Sequence, residues 1–172
     1  MIKIPKPQFS FLLAIVMAVS VVLFASFRAP AGAFKSNNTQ STQERVAGTD
    51  AAVEPTFKDY KGVRVGLSAV EVAAKLGEPA VKDENEEVFL ISDFEMVQVL
   101  YDKTGGVSAI SVTYSAEHPN PPTALAVLGE DVAADADGRI YKLTRYPDLG
   151  YWVAYSRTAG EAPVVSVTMN KM

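Results

Sequence analysis

The chain contains no cysteine. That excludes a disulfide framework, a thiolate metal site, a cysteine nucleophile and a lipid anchor carried on cysteine. It contains 1 histidine, His118, so no multi-histidine metal site can be assembled. Charge of one sign is also scarce. The 16 Lys and Arg against 20 Asp and Glu leave a formal charge of −4, and no basic stripe exists of the kind that tracks a phosphate backbone. Nucleic acid is therefore not an expected partner. Gly105-Gly106 is the only adjacent glycine pair, and no Gly-Lys-Ser/Thr follows it, so a phosphate cradle is absent too.

What is present begins with a long apolar run, Phe11 to Phe27, behind Lys3 and Lys6. It reads in two ways. As a secretory signal it has a positive start, an apolar centre and a small-residue site at Ala31-Gly32-Ala33. As an uncleaved anchor, counted from Pro7, it approaches the roughly 20 residues that span a bilayer. Either reading exports the rest of the chain to the periplasm or beyond the cytoplasm, anchored by this segment or released after Ala33, and the leading positive charges favour an inside N-terminus. Residues 1–33 are thus a signal or a membrane anchor. Residues 34–56 are rich in Ser, Thr, Asn, Gln and Ala without apolar period, and read as a disordered linker.

Two units are expected beyond the linker, residues 57–116 and 117–172. In the first, Ser68 and Glu71 form a capping box for a short helix, with Leu67 and Val72 placed as a staple. Gly77 ends the helix in a left-handed conformation, and Pro79 blocks its continuation. Strands are expected over 87–92, 96–101 and 107–114, with a hairpin loop at Asp102–Gly106. In the second, Asn120 is placed as a cap, Pro121 as the first helical residue, and Gly129 as the stop. Strands follow over 139–145, 151–156 and 164–169. Leu76-Gly77-Glu78 recurs as Leu128-Gly129-Glu130 at an offset of 52 residues. Tyr101 then matches Tyr155, and Ser111-Val112-Thr113 matches Ser166-Val167-Thr168. The expectation is an α+β fold: a duplicated helix-plus-three-strand unit forming an antiparallel sheet, with two short helices on one face.

Gly66-Leu67-Ser68, Val72, Leu76-Gly77-Glu78-Pro79, and Tyr101 with Gly106 form a pattern that resembles the BamE/SmpA outer-membrane assembly lipoproteins. The tandem arrangement is similar to the β-lactamase-inhibitor-protein fold. The resemblance spans roughly residues 60–170 and carries no catalytic residue. It implies a role near envelope or outer-membrane protein assembly, or, by fold analogy, inhibition of a secreted enzyme. The chain departs from those lipoproteins in having no cysteine to acylate.

No catalytic constellation is read from the residues. His118 lies in a loop beside Glu117, Ser68 and Ser156 have no histidine nearby, and Asp135-Ala136-Asp137-Gly138 lacks the ligand spacing of a calcium loop. A small-ligand-binding or hydrolytic domain rests only on scattered carboxylates. The expectation is a non-catalytic envelope module without cofactor or metal, which binds another envelope protein. Alternation assigns Phe89, Ile91, Val97, Val99, Tyr101, Ile110, Val112 and Tyr114 to a helix-covered face, with Tyr141, Leu143, Tyr151, Val153, Tyr155, Val165, Val167 and Met169. The other face would hold Trp152, Leu90, Leu100, Ile140 and Lys142, an apolar patch rimmed by polar groups and the candidate partner site.

Overall fold

A computed structural model describes residues 55–172. The signal or anchor segment and nearly all of the linker lie outside the described residues.

Ser68 opens the first helix, α1 (Ala69–Leu76). Its hydroxyl accepts from the Glu71 N–H while its own N–H donates to the Glu71 carboxylate at 2.8 Å, so two orphan donors are satisfied reciprocally. Those contacts, from the Ser68 backbone first and its hydroxyl second, hold the Glu71 carboxyl below the usual range. Gly77 ends α1 at φ 86, ψ −158. This is not the expected left-handed well but a region open essentially to glycine alone. Its N–H still closes the last turn on the Ala73 carbonyl.

Seven strands follow: β1 (Val81–Lys82), β2 (Glu86–Ser92), β3 (Glu95–Tyr101), β4 (Val107–Tyr114), β5 (Ile140–Tyr146), β6 (Tyr151–Arg157) and β7 (Val165–Lys171). They form one antiparallel sheet in the order β1-β2-β3-β4-β7-β6-β5. The two-residue edge strand β1 was not expected. The second helix, α2 (Ala124–Leu128), starts later than expected: Thr123, not Asn120, is the cap, and its hydroxyl accepts from the Ala126 N–H. The reason is steric. A residue that precedes proline is pushed out of the helical region, so Pro122 denies that region to Pro121. Gly129 closes α2 at φ 77, ψ 5, in the left-handed well.

The fold is thus α+β, and one face of the sheet carries the core. Val72 of α1 and Ala124, Val127 and Leu128 of α2 pack with Phe89, Val97, Val99, Ile110, Val112, Val153, Tyr155, Val165, Val167 and Met169. Tyr60 and Val63, just before α1, join the same cluster. Directly opposed residues of an antiparallel pair share a face, and this fixes one correction. The turn Pro147–Leu149 with Gly150 pairs Tyr146 with Tyr151, Thr144 with Val153 and Lys142 with Tyr155. Ile140, Lys142, Thr144 and Tyr146 therefore lie on the helix side, and Tyr141 and Leu143 on the other. Strand β5 is out by one residue from its expected placement, which turns over every side chain. Tyr146 is 6 % exposed and Tyr141 66 %. The Thr144 hydroxyl is left buried without a partner.

Two carboxylates occupy the helix side at opposite ends of β3. Glu95 stands opposite Tyr114 and accepts from the Tyr60 hydroxyl at 2.8 Å. Glu87, 2 % exposed, accepts from Lys82 Nζ and from the Tyr101 hydroxyl at 2.6 Å. Each is hydrogen-bonded, as a charge in such a place must be.

Candidate functional site

The second face of the sheet is built from three rows of directly opposed residues. The first runs Glu86, Leu100, Ala109, Asn170, Trp152, Arg145. The second runs Val81, Val88, Gln98, Ser111, Thr168, Ala154, Leu143. The third runs Leu90, Met96, Thr113, Ser166, Ser156, Tyr141. Each row crosses from the β1–β2 edge to the β5 edge.

The rows distribute bulk unevenly. The middle, on β4 and β7, holds Ala109, Ser111, Thr113, Ser166, Thr168 and Asn170. The Ser111 and Thr168 hydroxyls meet there at 3.1 Å. The large apolar side chains stand to either side. One flank has Leu90, Met96 and Leu100, with the Gln98 amide donating to Glu86 at 2.8 Å. The other has Trp152, Leu143 and Tyr141, with Arg145 directly opposite Trp152. This differs from an apolar centre within a polar rim: the face is a shallow polar trough between two apolar banks.

Trp152, Leu90 and Leu100 therefore stand on the expected face, with Leu90 and Trp152 on opposite banks. Ile140 and Lys142 do not. Ile140 packs against the helix-side core, and Lys142 reaches Glu130, just past α2, at 3.4 Å. Their places are taken by Tyr141, Leu143 and Arg145, which alternation alone missed. The signal that finds them is the length of the Pro147–Gly150 connection, which sets the pairing of β5 from the better-defined β6.

His118 and the loop carboxylates Asp135 and Asp137 are engaged structurally. His118 Nδ1 accepts from the Asn120 N–H at 3.2 Å, and its ring meets the edge of Tyr114. Asp135 and Asp137 both bind Arg139 across their own loop. The Ser115 hydroxyl is buried and has no hydrogen-bond partner among the described residues. Among the described residues no group of three or more His, Asp or Glu is arranged to hold a metal ion. The burial-driven shifts fall on tyrosines: Tyr114 is pushed up to about 12, by desolvation first and the Glu95 carboxylate second. Tyr60 and Tyr101 are raised further still, by desolvation and then by Glu95 and Glu87 respectively. Such groups stay protonated and anchor the fold.

Where the chain joins the domain bears on access to the second face. Phe57, Tyr60 and Val63 pack into the helix-side core, and a methyl group at Gly129 would meet Thr56 Oγ1 at 3.0 Å. The chain thus reaches the sheet on the side of the helices. Compared with family models, with curated proteins and with solved structures, the chain matches none.

Proposed function

We propose that this protein is a non-catalytic cell-envelope module that binds another envelope protein through the second face of its sheet. The observation that carries the reading is the bank formed by Trp152, Leu143 and Tyr141 with Arg145, on the side of the sheet away from both helices and away from the attachment of the linker. A partly exposed group of aromatic and aliphatic side chains with an arginine, Tyr141 most exposed and Trp152 and Leu143 half-buried, is the composition that carries binding energy at protein interfaces. The N-terminal apolar run supports an exported, anchored or released, location. A link to outer-membrane protein assembly, or inhibition of a secreted enzyme, rests on the sequence resemblance alone.

The domain is also proposed to be a diverged duplication. Ser111-Val112-Thr113 and Ser166-Val167-Thr168 are the recurring segments, and Val112 lies directly opposite Val167. That pairing is compatible with a two-fold axis passing between Val112 and Val167. The order β2-β3-β4 against β7-β6-β5 follows the same axis. The Tyr101–Tyr155 match does not follow it. Val97 is opposite Val112 and Tyr155 is opposite Val167, so the axis relates Tyr155 to Val97.

The test is an in-cell photo-crosslinker placed at Tyr141, with and without Trp152→Ala. The expected outcome is a discrete crosslinked protein that disappears in the variant while the melting temperature of the domain is retained. Capture unchanged by Trp152→Ala, or loss of capture only together with loss of the fold, overturns the interface.

A further inference from the structure

On the helix side, away from the proposed interface, a cleft of about 260 Å³ opens between the proline segment before α2 and the ends of β5, β6 and β7. Its lining has a definite chemistry. Val132, Ile140 and Val165 are apolar and already part of, or packed against, the core. The Tyr155 hydroxyl lies in the wall and is committed as a donor to the Pro122 carbonyl at 3.2 Å, which holds the proline segment in place. Arg157 is the cation of the cleft. It is half-buried and close enough to Tyr155 for its charge to oppose the rise in that hydroxyl's pKa caused by burial. Its guanidinium nevertheless has no ion pair or hydrogen bond among the described residues. Asp131 stands in the same lining and, among the described residues, also has no hydrogen bond or ion pair, with Arg157 or any other.

A half-buried guanidinium with unused donors, beside an apolar floor, matches one kind of ligand. The planar fork of an arginine binds a carboxylate through two parallel hydrogen bonds. The floor calls for a short aliphatic body. The volume is just below the roughly 300–1,000 Å³ of drug-sized sites, which suits a small molecule. Asp131 in the same lining disfavours a second negative charge on the ligand.

We propose that this cleft is a binding site for a small monocarboxylate with an aliphatic body, with Arg157 as its carboxylate anchor. The same chemistry is offered by a free short-chain acid and by the C-terminal residue of a polypeptide ending in leucine.

Saturation-transfer NMR on the full chain separates these. The probes are 4-methylpentanoate, its alcohol 4-methylpentan-1-ol, and a short peptide ending in leucine as free acid or as amide. The acid is expected to bind at least about ten-fold more tightly than the alcohol, a preference worth about 1.4 kcal/mol, and to lose that preference in Arg157→Met. A free acid stronger than the peptide identifies a small metabolite as the source, and a peptide acid stronger than both its amide and 4-methylpentanoate identifies a chain terminus. No binding of either acid at millimolar concentration, or equal binding of acid and alcohol, overturns the site. Should Arg157→Met fail to fold, Arg157→Lys decides: it keeps the charge but loses the planar fork, and an acid preference undiminished in it overturns Arg157 as the bidentate anchor.

Discussion

At the scale of single residues, the tyrosines and carboxylates of the helix side act as anchors, and their ionisation has a measurable consequence. Tyr114 stays neutral in the fold up to about 12 because burial, and then the Glu95 carboxylate opposite it, oppose the phenolate. In the unfolded chain it ionises near the ordinary value of about 10. Between these values the folded state holds a proton that the unfolded state has lost. The contribution of Tyr114 is therefore complete below about pH 10 and is lost as pH rises towards about 12. Urea midpoints measured across that window are expected to fall with rising pH. Tyr114→Phe should flatten the fall without abolishing it, because Tyr60 and Tyr101 are shifted in the same direction. A slope unchanged in Tyr114→Phe would remove this account.

Among the elements, strand β5 decides which side chains are available for recognition. Its sequence divides its apolar residues between both faces, with Ile140 and Tyr146 on one and Tyr141 and Leu143 on the other. Only its pairing with β6 selects between them. Substitution by aspartate separates the two placements. Tyr146→Asp introduces a charge into the core and is expected to destabilise by about 3 kcal/mol or more, whereas Tyr141→Asp on the opposite face should cost within about 0.5 kcal/mol. Chemical denaturation of the pair checks this, and the reverse order of stabilities would restore the alternative register. The same scale explains the helices. Each is too short to persist alone. Each is held by a hydroxyl cap, a terminal glycine and buried residues that it contributes to a common core.

For the whole domain, the central feature is the pairing of β4 with β7. Strand β4 follows α1 and β7 follows α2, so this ladder joins the first half of the described chain to the second. Val112 and Val167 are opposed in it and both are 0 % exposed. Neither half can bury its central strand without the other. The domain is expected to unfold in one transition, with the fluorescence of Trp152 in the second half and amide exchange of β2–β3 in the first half reporting the same midpoint. Two separated midpoints would mean that the halves fold independently. The lone tryptophan makes the optical half of that measurement unambiguous.

The sequence by itself determined the local structure: the Ser68–Glu71 capping box, the glycine stops at Gly77 and Gly129, and the six main strands to within one or two residues. Capping, chain reversal and alternation act over a few neighbours, so their signals lie in consecutive residues. It also placed Trp152, Leu90 and Leu100 on the second face, by alignment of the two halves, although β2 and β6 carry consecutive apolar residues and little alternation of their own. Tertiary structure alone decided the rest. The face of β5 depends on hydrogen bonds to another strand. The two-residue β1 has no pattern of its own and exists through its pairing with β2. The start of α2 at Thr123, by contrast, is a local effect, because Pro122 denies the helical region to Pro121. The trough between Leu90 and Trp152 arises because strands far apart in sequence, β4 and β7, lie side by side at the centre of the sheet. The Arg157 cleft likewise collects residues from α2, β5, β6 and β7, and no stretch of sequence contains it.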